Sequence, residues 1–211
     1  MRLCSYKMVV DTGFAPNPFG CTLTLATCKP GIRRAAREGD WVAGFTSRGL
    51  AGHEVGSERL VYLMRVSEKL LLRDYFRDPR FGDKIPDMGK RGPEAKAGDN
   101  IYRPRRAGAV AAADFEQLAN PNHVARDRER DVAGQFVLVS DEFYYFGESA
   151  PAVPLDVRPN VPRRQAAYGQ RSCSALAERF LRYMRANYPT GRQGQPHKWP
   201  RAGGANPSRC A

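Results

Sequence analysis

Two runs limit what this chain can fold into more than any other feature. From Arg59 to Glu68, Leu60, Tyr62, Met64 and Val66 alternate against Val61, Leu63 and Arg65, and Trp41 to Ser47 follows directly on the turn Gly39-Asp40. A period of two, rich in β-branched and aromatic residues, is the signature of a strand, and these two strands are expected to pair as neighbours across the Gly-rich loop Arg48 to Ser57. Leu3 to Val10 reads as a first strand ending at Asp11-Thr12-Gly13, Thr22 to Cys28 as a short one, and Phe136–Ser140 with Phe143–Gly147 as two adjacent runs that complete the sheet. Helical periodicity is scarce. Pro30 opens a turn carrying Arg33, Arg34 and Arg37, Lys69 to Phe76 reads as a short helix ended by Asp78-Pro79, and Ser174 to Tyr188 is the best helix, with Leu176, Phe180, Leu181 and Met184 on the face expected to dock on the sheet. The expected fold class is α+β, with a mixed or antiparallel sheet and flanking helices.

The 211 residues suit one domain with an appendage. The expected division is a core over 1–150, a proline-rich linker and docking helix over 151–190, and a basic flexible tail over 191–211, while the polar stretch 82–108 is read as an excursion from the core with only Ile101-Tyr102 anchored. No apolar run approaches the roughly 20 residues of a membrane span, and the N-terminus turns polar at once, so the chain is read as cytoplasmic. The five cysteines include no CxxC pair and the three histidines stand alone, so neither disulfides nor a His-rich metal site is expected, carboxylates could still hold a magnesium ion, and no cofactor is identifiable. Residues 151–211 carry 11 basic and 2 acidic residues, a net of +9 out of the chain's +12. Such a block makes either a surface for phosphate backbones or a solubilising tail.

Three clusters could carry chemistry. Asp11, Asn17, Cys28, Lys29 and Arg33 surround the rigid loop Phe14–Gly20, where two prolines flank Asn17, and they offer a carboxylate, an amide, a thiol and cations for a base edge and a phosphate. The competing reading has Asp11 and Asn17 satisfying turn backbone, Arg33 solvated and Cys28 as a small buried side chain, since no histidine stands near it in sequence. Asp40 and Trp41 form the second cluster, a Gly-Asp turn entering a strand with an aromatic ring that either stacks on a base or fills the core. The third spans Asp99, Tyr102, His123, Asp131 and Ser140, whose acidic and imidazole groups are the catalytic candidates Asp99, His123 and Asp131, although the charge-dense run Arg126 to Asp131 reads more simply as a solvated face.

Taken together, DTGFAPNP (11–18), CTLTLATCK (21–29), Arg33-Arg34, Gly39-Asp40-Trp41-Val42, Arg59 through Leu70 and LVSDEFYYFG (138–147) resemble the nucleotide modification associated domain 2 family over residues 3–150. That resemblance implies a place in systems that modify DNA bases in phage and bacteria. It marks Asp11, Asn17, Cys28, Lys29, Arg33, Asp40, Trp41, Asp99, Tyr102, Asp131, Ser140 and Tyr145, and the chain departs from the family pattern at Arg103 and at Tyr168 to Arg171. The turn into the Trp41 strand also resembles PUA-like and EVE-like base readers, which implies a partly open β-barrel. The expected function is nucleotide or nucleic-acid base binding, with a nucleotide or DNA carrying a modified base as partner, the base near Trp41 and Tyr145, and no membrane. The alternatives are a nucleotide- or base-modifying enzyme using carboxylate or histidine chemistry, and a host–phage conflict protein that binds another protein.

Overall fold

Residues 1–164 and 169–200 are described by the computed structural model of the chain. Strand β1 (Leu3–Met8) is followed by β2 (Leu23–Leu25), helix α1 (Pro30–Ala35), β3 (Trp41–Thr46), the single turn α2 (Arg48–Ala51), β4 (Leu60–Arg65), β5 (Glu68–Leu71) and α3 (Leu72–Arg77). After the excursion, with its turn α4 (Pro93–Lys96), come β6 (Tyr102–Pro104), β7 (Phe115–Gln117), α5 (Arg128–Val132), β8 (Phe136–Ser140), β9 (Phe143–Tyr145), β10 (Gln170–Ser172), α6 (Ser174–Asn187) and β11 (Gly191–Arg192).

The expected neighbours β3 and β4 pair antiparallel, Trp41 opposite Arg65, at the centre of a six-stranded mixed sheet ordered β10-β1-β3-β4-β9-β11. Its strands β1 and β3 run parallel, Leu3 opposite Trp41. The fold class is thus α+β with a mixed sheet, and among the described residues no closed barrel forms, because this sheet ends at β10 and β11. The two adjacent runs near 140 part company: β9 joins the large sheet, whereas β8 lies between β2 and β5 in a smaller antiparallel sheet. Lys69–Leu71, expected as the start of a helix, belongs to β5, where Lys69 and Leu70 pair with Leu138 and Val137, and the helix begins only at Leu72. A short run with both apolar periodicities is decided by the partner strand, which lies some 65 residues on and leaves no local trace.

Strand alternation builds layers. Trp41, Ala43 and Phe45 face α6, whose Ala177, Phe180, Leu181 and Met184 are buried against them. Each of the three large side chains among these contributes roughly 1.5–3 kcal/mol by leaving water. Tyr6, Met8, Val42, Tyr62 and Met64 on the opposite face meet Leu23, Leu25 and Leu138 of the small sheet, and Val137 and Val139 on that sheet's outer face pack with Tyr75, Phe81, Ile101, Tyr102 and Phe115. The excursion therefore covers the outside of the small sheet, and it is anchored by more than Ile101 and Tyr102, since Lys84, Asp99 and Asn100 are also buried. Residues 191–199 of the expected tail lie against the core: β11 pairs with β9, the Lys198 N–H donates to the Asp11 carbonyl at 2.9 Å, and the Trp199 ring lies 5.0 Å from that of Phe19. Residues 201–211, with Cys210, and Tyr168 lie outside the described residues. No helix of the described residues is long and apolar enough to cross a membrane.

Candidate functional site

A cleft of about 850 Å³ opens between the loop leaving β1, the start of α1 and the segment around His123. Its lining mixes the apolar Tyr6, Met8, Phe14, Ala15, Pro30 and Pro121 with the cations Lys7, Lys29, Arg130 and Lys198 and with Cys28 and His123. Lys7 pairs with Glu58, 2.7 Å away and buried with it, and Arg130 pairs with Asp127 and Asp131 at 3.1 and 3.5 Å, while Lys29 and Lys198 complete the cations of the cleft. The Lys29 ammonium stands 4.6 Å over the Tyr6 ring. The ring thereby supplies part of what burial withholds from the ammonium.

One wall is locally unusual. Pro30 opens α1, and the residues before it, Cys28 and Lys29, both take left-handed backbone, with φ of 55° and 40°. For side chains of this kind that conformation costs about 1 kcal/mol each, so other contacts must hold it. The Cys28 N–H donates to Asp131 Oδ1 at 2.9 Å, and the Cys28 carbonyl accepts from Arg33 Nε at 2.8 Å. Arg33 is fully buried and also donates to the carbonyls of Phe136 and Asp131, each at 2.6 Å, so one guanidinium ties the Cys28 turn to α5 and β8. Gly134 makes room for it: a Cβ there would stand 2.4 Å from Arg33 Cζ.

The Asp131 carboxylate, fully buried, meets His123 Nε2 through Oδ2, which also accepts from the Tyr102 hydroxyl at 3.0 Å. His123 Nδ1 lies 3.0 Å from the Asn122 carbonyl, and the Phe14 ring packs 4.9 Å from the imidazole. Both ring nitrogens thus face oxygens that only accept, which calls for an imidazolium. Burial alone would favour the neutral ring, but the Asp131 hydrogen bond and charge outweigh it and raise the His123 pKa above its ordinary value. The converse holds for Asp131, where burial pushes the carboxyl up and His123, Arg33 and Arg130 bring it to a net lowering. Cys28 is different: burial first, then the Asp131 charge, push its thiol up to about 11. The Cys28 sulfur, a His123 nitrogen and an Asp131 oxygen all lie within 4.8 Å of one another.

The fold thus gathers Cys28, Lys29, Arg33, Tyr102, His123 and Asp131 from four separate parts of the chain. The other sequence candidates lie in separate groups. Asp11 is buried, accepting from the Tyr145 hydroxyl at 2.6 Å and pairing with His197 Nδ1 at 2.9 Å. Asn17 donates to the Ala97 carbonyl and accepts from Lys84, a buried ammonium also bonded to the carbonyls of Phe19 and Thr22, whose pKa burial lowers to about 8. Asp99 is held by Thr24 Oγ1, the Ala26 N–H and the Tyr75 hydroxyl. The Ser140 hydroxyl donates to the Glu142 carbonyl. Trp41 is 1% exposed under α6, with the Arg185 guanidinium 5.7 Å from its ring, and borders a second cavity of about 330 Å³ together with Arg2, Cys4 and Asp40.

Asp40 pairs with Arg2 and accepts the N–H of Arg2 and of Arg37, each at 3.0 Å. Burial pushes its carboxyl up, but the Arg2 hydrogen bond and these N–H groups leave it below its ordinary 3.8. A lowered folded pKa stabilises above the unfolded value and is lost as pH falls through the folded one. Asp40→Asn is therefore expected to cost about 1 kcal/mol in urea unfolding above pH ~5 and to converge with the parent in acid, whereas a pH-independent cost would mean that packing, not charge, is lost.

Cleft residues that sequence reasoning misses include Tyr6, Phe14 and Asn122, together with Arg130, inside a run that reads as a solvated face, and Lys198, inside the expected tail. No local signal marks Lys198, and on α5 only Asp131 and Val132 are buried. Three residues of the basic C-terminal third pair with core carboxylates, Arg158 with Glu58, Arg185 with Glu142 and Arg192 with Glu94.

No curated protein and no solved structure matches the chain. One family model does match, across residues 1–203, beyond the 3–150 over which the motifs are legible and through α6 and the segment that brings Lys198 to the cleft. On that span the chain belongs to the nucleotide modification associated domain 2 family.

Proposed function

We propose that the cleft binds a nucleotide, free or within a DNA strand, as a step in DNA base modification. The observation that carries this is the combination in one cavity of about 850 Å³ of an apolar, ring-lined surface with Lys29, Arg130 and Lys198. The volume lies within the roughly 300–1,000 Å³ of small-molecule sites. The two prolines and the edges of the buried Tyr6 and Phe14 rings give a base an apolar wall, the cations offer charge-assisted hydrogen bonds to phosphate, and Thr12 and Asn122 remain for a polar base edge. Asp11, Asn17 and Asp40 are already engaged by protein groups, and Trp41 and Tyr145 lie outside the cleft lining. Membership in a family associated with nucleotide modification supports the reading. The exposed arginines of the C-terminal third, Arg179 and Arg182 among them, would add a sequence-independent hold on a polymer.

Calorimetry with deoxynucleosides, their monophosphates, and unmodified and modified duplexes over a salt series tests it. Monophosphates should bind more tightly than nucleosides, and Arg130→Ala should weaken them by about tenfold, the loss of one charge-assisted hydrogen bond. Equal binding of all polymers that vanishes with salt, with no effect of Arg130→Ala, would leave only non-specific backbone binding. A second reading, a nucleotide- or base-modifying enzyme, is favoured by the convergence of Cys28, His123 and Asp131 on the cleft wall. Its test is product analysis after incubation with the same nucleotides.

A further inference from the structure

We infer that Cys28, His123 and Asp131 form a binding site for a divalent transition-metal ion of the zinc and cobalt class, with an open coordination position facing the cleft. The three donor atoms lie within 4.8 Å of one another. Bond lengths of about 2.0–2.3 Å in a tetrahedral site put donors roughly 3.3–3.8 Å apart, so an ion asks His123 Nε2 and Asp131 Oδ2, in hydrogen-bond contact here, to part by about an ångström as the sulfur closes in.

The surroundings of the donors are those that orient metal ligands. Metal-bound histidines donate their second ring N–H to a carbonyl or carboxylate, and here Nδ1 faces the Asn122 carbonyl at 3.0 Å, so the ion would take Nε2 in place of its hydrogen bond to Asp131 Oδ2. Asp131 is likewise held from both sides, Oδ1 by the Cys28 N–H and Oδ2 by the Tyr102 hydroxyl. A thiolate, an imidazole and a carboxylate suit zinc or cobalt, whereas magnesium and calcium take oxygen ligands. Two anionic donors cancel the ion's charge, so Lys29 stays available at the cleft. On binding, the ion replaces the Cys28 thiol proton and the His123 Nε2 proton, and both leave to solvent.

A thiol nucleophile served by a histidine base is the competing arrangement. It needs a ring nitrogen with its lone pair toward sulfur, and both nitrogens of His123 are taken by oxygens. The metal site goes beyond the nucleotide reading and does not depend on it, because its test contains no nucleotide.

The full chain, freed of metal by chelator dialysis, is titrated with Co²⁺ and followed by absorption. The expected result is one equivalent bound, with the visible bands of a tetrahedral site and a sulfur-to-cobalt charge-transfer band, all displaced by Zn²⁺. Cys28→Ser, checked for folding by circular dichroism, should abolish the charge-transfer band. Tyr102→Phe, which leaves all three ligands in place, should weaken affinity by about tenfold. Absence of the charge-transfer band in the folded parent would overturn the site. A band that survives Cys28→Ser would also do so, since another cysteine, such as the exposed Cys21 or Cys173, would then be a ligand. Selective alkylation of Cys28 with no cobalt spectrum would assign the cysteine to nucleophilic chemistry instead.

Discussion

Replacing Arg33 by methionine should cost the fold about 4 kcal/mol, with Arg33→Lys costing about half as much. The guanidinium is fully buried and donates to the carbonyls of Cys28, Phe136 and Asp131, which belong to three different parts of the chain. Burial lowers its pKa to about 10, so it remains charged at neutral pH and each bond is charge-assisted. Methionine fills the space but removes the donor from all three carbonyls, leaving that of Asp131 the Gly134 N–H at 3.0 Å, and each lost partner is worth roughly 1–3 kcal/mol. Lysine keeps the charge but presents donors from a single nitrogen and cannot span three carbonyls set around a planar fork. A domain of about this size loses roughly 2–4 °C per kcal/mol, so melting should fall by about 10 °C for the methionine variant. Urea unfolding measures the cost directly. An unchanged midpoint would mean that the carbonyls find water and that the guanidinium does not tie these segments together.

The same residue shows where sequence reading ends. Arg33 is legible as a candidate because it stands near Cys28 and Lys29, but its targets on α5 and β8 lie 98 and 103 residues away, and nothing local announces them. The strands β3 and β4 and the helix α6 were legible because their periodicity is long enough to decide between period two and period 3.6. Sheet membership was not: Asp141-Glu142 is a corner at which the chain leaves one sheet for another, and two strand-like runs separated by a turn look the same whether or not they share a sheet. Within the site, the residues named from sequence group differently in space. Asp11 and Asn17 were placed with Cys28, yet Asp11 belongs with Tyr145 and His197, and Asn17 with Lys84. Cys28 appeared to have no histidine because its neighbour is 95 residues on, beyond the reach of any spacing argument. Asp131 is hidden differently, as one buried carboxylate at the end of a run of alternating charge, where the helix turns Asp131 and Val132 inward.

The wall of the cleft contributed by the last described residues rests on two glycines, and substituting either with alanine should release it. Gly147 sits at φ +55°, and a Cβ there would stand 1.9 Å from the Gln195 carbonyl oxygen; a Cβ on Gly194 would stand 1.9 Å from that of Phe146. The two backbones approach this closely because the Glu148 N–H donates to the Gln195 carbonyl and the Gln193 N–H to that of Tyr145, each at 2.8 Å. Since neither obstacle is a movable side chain, Gly147→Ala is expected to cost about 4 kcal/mol, from strained left-handed backbone and from undocking residues 193–199. Undocking removes the His197 partner of buried Asp11 and withdraws Lys198 from the cleft. Two consequences separate this from general destabilisation. Amide exchange should accelerate over residues 191–199 well before the core opens, and the Gly147→Ala, Gly194→Ala double variant should cost little more than either single one, because each already breaks the same docking. Nucleotide monophosphate affinity should fall in step with that exchange. If the two costs add and affinity is unchanged, the segment is a separate stabilising strap, and the phosphate site lies with Lys29 and Arg130 alone.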